Sequence, residues 1–200
     1  MTAFPQIRGE AVIFDLEFTS WEGSLASRWL RPGEYTEIVQ IGAVKLDGHR
    51  LEILDSFGLL VRPRINRVIS PYLEKLTGIS NTQLAKDGVD FAEGYARFLN
   101  FAGGAPIYAF GRDDLVFESN LRLYGMHEAP ALPPYSNIIP WLVEQGIDPR
   151  GMHACDVGPR AGVPFEGHTH DALNDARSVA AGVSALIKKG ARNLFLEGAL

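Results

Sequence analysis

The first strong signal along the chain is a run, AVIFDL at residues 11–16, that is apolar at odd and even positions alike. That is the pattern of a strand covered on both faces. Acids enter only at its end, as Asp15 and Glu17. Residues 37–47 (EIVQIGAVKLD) and 53–62 (ILDSFGLLVR) read as two more strands, and Asp47-Gly48 between them is a hairpin signal. The chain thus opens with an antiparallel meander. After Pro63 the period changes. In SPYLEKLTG (70–78), Ser70 supplies an N-cap, Pro71 the first helical position and Gly78 a stop, which predicts a short helix. A second helix is expected over about 89–102, ending at Gly103-Gly104. PIYAFG (106–111) predicts a short strand, and DDLVFESNLRLYG (113–125) a helix with acids in its first turn. Residues 130–165 hold much of the proline and give no firm pattern beyond a helix over 137–146 around Pro140. The last helix, 171–190, has apolar residues at 172, 173, 176, 179, 180, 183, 186 and 187, then Lys188 and Lys189, with Gly190 as stop. Without repeats, low-complexity tracts or a linker, one α/β domain over 1–200 is expected, with a core at about 10–188 and a short tail at 190–200.

Composition narrows the class. The chain has 200 residues, 46% of them hydrophobic, and Lys+Arg 19 against Asp+Glu 24 gives a net charge of −5. Disordered, collagenous and coiled-coil chains do not look like this. One cysteine, Cys155, excludes an internal disulfide framework and fits a reducing compartment. The opening MTAFPQIRGE lacks the basic and apolar regions of a signal peptide, and no apolar run reaches the roughly 18 residues of a membrane span. A cytoplasmic protein without a membrane partner is expected. The acidic balance speaks against a surface that grips nucleic acid throughout. It leaves room for a nuclease, whose active site needs carboxylates while the substrate's phosphates are met locally. Arg62, Arg64 and Arg67 stand close together, which suits phosphate contact as well as a solvated loop.

Three groups of residues carry candidate chemistry. Asp15 and Glu17, two apart on a strand, project from the same face. Paired carboxylates at the end of a buried strand are costly unless a cation or hydrogen bonds compensate them, and a hard divalent metal does so most simply. A D-x-E at a solvated strand tip would need no metal. Asp113-Asp114 stands at a strand-to-helix junction, where one acid can cap the helix and the other point over the sheet edge. GHTHDALNDA (167–176) contains His170 and Asp175. Along one helix these would lie about 140° apart, so they meet only if His170 precedes a helix capped by Asp171. A zinc set of His153, Cys155, His168 and His170 has unusual spacing and leaves the carboxylates unexplained.

Taken in order, D-x-E on the first strand, an Asp at a mid-chain strand-to-helix junction and H-x4-D opening the last helix resemble the three motifs of the DEDDh 3'-to-5' exonuclease superfamily. EIVQIGAVKLD is similar to that superfamily's second strand. ISPYLEKLTGIS (69–80) and AFGRDD most resemble its small RNA-trimming branch. The resemblance covers about residues 10–188. It implies an RNase H-like α/β fold, a central mixed five-stranded sheet flanked by helices. It also implies an enzyme that hydrolyses single-stranded nucleic acid, RNA rather than DNA, from a free 3' end to 5'-mononucleotides. Asp15, Glu17, Asp114 and Asp175 would hold two divalent ions, Mg²⁺ or Mn²⁺, with Asp15 bridging them, and His170 would act as general base. The family places its Asp three residues after a Gly in a W-G-x-x-D segment, here Gly111 to Asp114, with Phe110 at the Trp position; this selects Asp114 over Asp113. Phe18 and Thr19 would contact the terminal nucleotide. Trp21, Arg28, Trp29 and Arg31, in a segment that does not align clearly with the family, suit a flap that stacks on a base or holds phosphate, and equally a loop packed on its own domain. DNA-directed proofreading and a non-catalytic binding module are the rival readings. The tail NLFLEGAL (193–200) offers apolar surface for a homodimer.

Overall fold

The computed structural model describes residues 9–196. Five strands, β1 (Glu10–Phe18), β2 (Ile38–Asp47), β3 (Glu52–Leu60), β4 (Ile107–Ala109) and β5 (Tyr135–Asn137), form one mixed sheet in the order β3-β2-β1-β4-β5. β1, β2 and β3 pair antiparallel, and β4 and β5 add in parallel with β1. β1 is central, as its two-sided apolar pattern predicts. Its odd residues Ala11 and Ile13 pack in a core with Val44, Leu46, Ala176, Val179 and Val183. Its even residues Val12, Phe14 and Leu16 pack in a second core with Phe91, Tyr95, Phe98 and Phe117.

Eight helices surround the sheet among the described residues. α1 (Ser24–Ser27) lies in the segment after β1; α2 (Pro71–Thr77) and α3 (Asn81–Asp87) follow β3. α4 (Phe91–Ala102) and α5 (Asp113–Leu123) cover the even face of β1, while α6 (Ile139–Glu144) and α7 (Val157–Arg160) lead to α8 (Ala172–Lys188), which covers the odd face. α2 begins as predicted, with the Ser70 hydroxyl accepting from Leu73 N. α1, α3, α7 and β5 were not foreseen. α3 rests on a reciprocal cap of Ser80 and Gln83 that extends only seven residues, and β5 is three residues long in the proline-rich stretch. No helix among the described residues is long and apolar enough to cross a membrane.

α8 approaches the sheet very closely. A Cβ on Gly42 of β2 would stand 2.1 Å from Ala172 C and from Leu173 N. In the β1–β2 register Gly42 is opposite Asp15 and Gln40 opposite Glu17. Gln40 Nε2 donates to Asp171 Oδ2 (2.8 Å) and its Oε1 accepts from Ala172 N (3.0 Å), which pins the start of α8 to β2.

Part of the apolar tail packs within its own chain. Phe195 is buried edge-on against Tyr108, Leu194 is buried with it, and Asn193 Nδ2 donates to Gly48 O. Leu194 and Phe195 are therefore spent inside their own chain, while Leu196 is exposed; residues 197–200 lie outside the described residues.

A Gly42→Ala substitution should cost about 1–3 kcal/mol of stability through overpacking. Gly58→Ala, whose Cβ would meet only the Leu173 side chain at 3.4 Å, should cost far less. Urea unfolding of the two variants checks this; equal stabilities would contradict the close approach.

Candidate active site

The odd face of β1 continues past Ile13 into Asp15 and Glu17, so the two carboxylates emerge where the apolar cover of α8 begins. Both are buried. His170 precedes α8 in the left-handed region (φ 58), and Asp171 caps the helix by accepting from Asn174 N at 3.0 Å. Asp175 follows in the first turn, buried at 2% exposure. A ligand atom from each of Glu17, His170 and Asp175 lies within 4.8 Å of the other two. The break between loop and helix resolves the angular problem that one continuous helix would have posed.

The two adjacent mid-chain acids have different surroundings. Asp114 is gripped by its neighbour: Arg112 Nε donates to Oδ1 at 2.9 Å and Nη2 to Oδ2 at 2.8 Å. The Asp113 Oδ2 has no hydrogen-bond partner. After burial, the negative charge of Asp113 is the largest influence on Asp15, and it also acts on Glu17; Asp114 acts on neither. Asp114 is itself buried, on the helix face of Phe117 and Asn120, and is neutralised there by Arg112; Asp113 is half-buried as a residue, with only its Oδ2 closed off from solvent and from any partner. Gly111 (φ 124) makes the turn that brings α5 back over the end of β4, and its carbonyl accepts from the Tyr135 hydroxyl.

Burial and mutual repulsion set the titration of this cluster. Asp15 and Glu17 are held well above the usual carboxylate range, first by burial and then by the neighbouring acids. Burial and Asp114 raise Asp113 to about 7; burial raises Asp175 to about 7, with a hydrogen bond from His170 opposing. The His170 imidazole is lowered by burial and by the nearby His153 and His168. Four carboxylates crowded together, with Asp113 Oδ2 and Asp175 Oδ1 both buried and unpartnered, form a hard, oxygen-rich donor set that fits divalent cations. The zinc set does not assemble. Cys155 is buried, its carbonyl on Ser178 Oγ and its thiol pushed up to about 12 by burial.

An open cleft of about 500 Å³ runs from these carboxylates, lined by Phe18, Trp21, Trp29, Phe110, His153 and His170 among others. Phe18 and Trp29 pack ring to ring (5.4 Å), and Trp29 Nε1 donates to Thr19 O. Thr19 itself faces away from the cleft. It is 1% exposed, its hydroxyl donating to Tyr35 O and accepting from Glu37 N, so it braces the segment's exit from the sheet. Arg31 is likewise structural, paired with Glu34 (2.6 Å) and donating to Glu22 O. Arg28 is exposed and does not line the cleft. Sequence reasoning missed Tyr72 and Leu76 on α2, which form another wall; their i, i+4 spacing was the available signal. It also missed His153, whose ring meets that of His170 edge-on at 5.2 Å and which carried no signal beyond the unsuitable zinc spacing.

Comparisons with known proteins agree with this geometry. A family model described as Exonuclease (RNase_T) matches residues 12–182. The 3'-5' exoribonuclease 1 of Rattus norvegicus is 36% identical over 88 residues, which are 44% of this chain but only 22% of that protein. The Homo sapiens 3'-5' exoribonuclease 1 is 40% identical over 73 residues, 36% of this chain and 19% of that protein. Among solved structures, the nuclease domain of 3'hExo, a DEDDh family member bound to rAMP, superposes with a TM-score of 0.78 at 22% identity, covering 93% of this chain and 95% of that one. Cell-death related nuclease 4 gives 0.74 at 22% identity, covering 92% and 65%.

The raised carboxylates predict how stability responds to pH without metal. The folded protein keeps protons that an unfolded chain releases near pH 4, so the folded state binds more protons between about pH 4 and 7. Stability should therefore fall as pH rises through that window and level off above it. The depressed imidazole of His170 acts the other way near pH 6 but is one group against four. Thermal unfolding in EDTA should show the decline, and Mn²⁺ should restore stability most at and above pH 7, where the ligands are free of protons. A melting temperature in EDTA that rises from pH 4.5 to 7 would contradict the crowded-carboxylate account.

Proposed function

Since the chain belongs to the exonuclease family, within the DEDDh 3'-to-5' exonuclease superfamily, we propose that it removes nucleotides one at a time from the 3' end of single-stranded RNA, releasing 5'-mononucleotides. The observation that carries this is the convergence of Asp15, Glu17 and Asp175 beside His170 at one end of an open cleft, with the charge of Asp113 acting on both strand acids. The exoribonuclease relatives and the rAMP held by a structural relative support RNA as the substrate. Two divalent ions, Mg²⁺ or Mn²⁺, would be held by these four carboxylates, with Asp15 central because Glu17, Asp113 and Asp175 all act on it. Such ions compensate charge at the phosphorus and at the departing 3' oxygen.

The remaining steps belong to the protein. The aromatic walls of the cleft, Phe18, Trp21 and Trp29, receive the terminal nucleotide and hold its phosphodiester against the carboxylates. His170, kept neutral at physiological pH by burial and by its histidine neighbours, takes a proton from the attacking water as it bonds to phosphorus. The bond to the 3' oxygen of the preceding nucleotide breaks, leaving the 5'-phosphate on the released nucleotide. Arg112 pairs with Asp114, while the Asp113 Oδ2 stays unpartnered.

The test is digestion of 5'-labelled single-stranded RNA and DNA of one sequence, with Mg²⁺, Mn²⁺ or EDTA. A ladder shortening from the 3' end, faster on RNA and lost in EDTA, is expected; a faster DNA ladder would reverse the substrate assignment. Asp15→Ala and Asp175→Ala should abolish turnover, and His170→Ala should cut the rate roughly 10²-fold or more while metal binding persists.

Asp113→Asn and Asp114→Asn separate the two adjacent acids. The first should cost roughly 10²-fold or more in rate, by analogy with loss of other charged groups at the reacting centre, and the second far less. The opposite ranking would return the role to Asp114.

A further inference from the structure

The loop after β3 and the segment after β1 form one surface. Glu37 lies fully buried between them: its carboxylate accepts from Arg64 N (2.7 Å), Ile65 N (2.8 Å) and Asn66 N (2.5 Å), and from the Tyr124 hydroxyl (2.6 Å). Asn66 Nδ2 donates to Gly33 O at 3.0 Å, and Ser70 Oγ to Ser20 O at 2.5 Å. The loop is thus fixed from beneath and stitched to the wall of the cleft. Five of the eleven exposed large hydrophobic side chains among the described residues, Leu25, Leu30, Tyr35, Ile65 and Val68, lie on these two segments, and Tyr72 adjoins them at the start of α2. Leu25 and Tyr72 also line the cleft, so the exposed surface runs on from it.

Charge distinguishes this surface from the rest of an acidic chain. Glu34 is paired with Arg31, and Glu37 is spent on the amides. Arg62 is structural, donating to Leu84 O and Gly88 O. Arg28, Arg64 and Arg67 are exposed and have no carboxylate partner among the described residues, against a single unpaired acid, Glu22. The Arg64 guanidinium sits over the Tyr124 ring, 5.4 Å from its centroid, and Arg67 Nε donates to Arg64 O at 3.2 Å, so both stand on an ordered base. Unpaired arginines beside exposed aliphatic and aromatic side chains are the chemistry that receives a single-stranded nucleic acid, its phosphates on the cations and its bases on the apolar faces.

We infer that Arg64 and Arg67, on the loop at 63–68, bind the phosphates of the strand upstream of the terminal nucleotide, as that strand leaves the cleft across the segment after β1. This rests on reading the cleft as the exonuclease site, and it adds a reason for single-strand preference that the catalytic cluster does not supply. The track lies on two loops, within reach of a flexible strand.

The test measures binding apart from catalysis. Fluorescence anisotropy with a 5'-fluorescein-labelled 12-nucleotide single-stranded RNA, in EDTA, should give a Kd about tenfold weaker for Arg64→Ala/Arg67→Ala than for the wild type. The slope of log Kd against log salt should fall by about 1.4, for two phosphates on a single strand. Arg64→Lys/Arg67→Lys should recover much of the affinity, and Arg97→Ala/Arg150→Ala, removing two cations elsewhere, should bind within about twofold of wild type. With Mg²⁺ present, the double alanine variant should raise the ratio of KM for the 12-mer to KM for the p-nitrophenyl ester of thymidine 5'-monophosphate about tenfold. Wild-type affinity and salt slope in the double alanine variant would overturn the track, as would equal weakening in the lysine variant. If the wild type hydrolyses neither substrate, the exonuclease reading fails by itself, and the anisotropy result still decides whether the loop binds nucleic acid.

Discussion

The contact between β2 and the start of α8 is the constraint on which the site depends. Asp15 and Glu17 lie on a face of β1 that is otherwise covered by α8, and they meet Asp175 only because that helix begins almost on the sheet surface. Gly42 makes room for the helix backbone. Gln40, with one amide, gives a hydrogen bond to the Asp171 cap and takes one from Ala172 N. One β2 residue thus supplies space and the next on the same face supplies orientation. Each stands opposite one of the two β1 carboxylates.

The arrangement places α8 and α5 on opposite faces of the sheet, each aiming an acid of its first turn at the end of the same central strand. Such crowding opposes folding when the acids are ionised, since no ion pair to Asp15, Glu17, Asp113 or Asp175 is formed among the described residues. The Arg112 guanidinium is committed to Asp114. The stability given up here is offset by two apolar cores on the faces of β1. Binding of cations from solution is the complement that the cluster lacks.

The sheet, the long helices and the catalytic strand were legible because each carries a period or a punctuated run: two-sided burial for β1, Ser-Pro and Gly around α2, and an unbroken apolar stripe in α8. β5 and α3 were not, being three and seven residues long and held by tertiary pairing and a reciprocal cap. At the site, no single spacing was decisive; the order of the motifs and the family resemblance singled out residues of which the structure brings Glu17, His170 and Asp175 together. Counting from Gly111 pointed to Asp114, which the helix does bury beside Phe117; what spacing could not show is that Arg112 pairs with that carboxylate while the Asp113 Oδ2 stays unpartnered. Thr19 and Arg31 showed the opposite limit, since their chemistry suited a ligand while their partners, Tyr35 and Glu34, lay within the same loop.

Asp15 and Asp175 stand 160 positions apart in the sequence, and Asp113 lies between them. Contacts of such separation are among the last that a chain can afford entropically, because a long loop must close before they reward it. A nascent chain that has formed only its meander and α4 carries two carboxylates of the cluster and none of the others. Catalytic competence therefore arrives together with the docking of α8, and a partly folded molecule is a poor nuclease by construction.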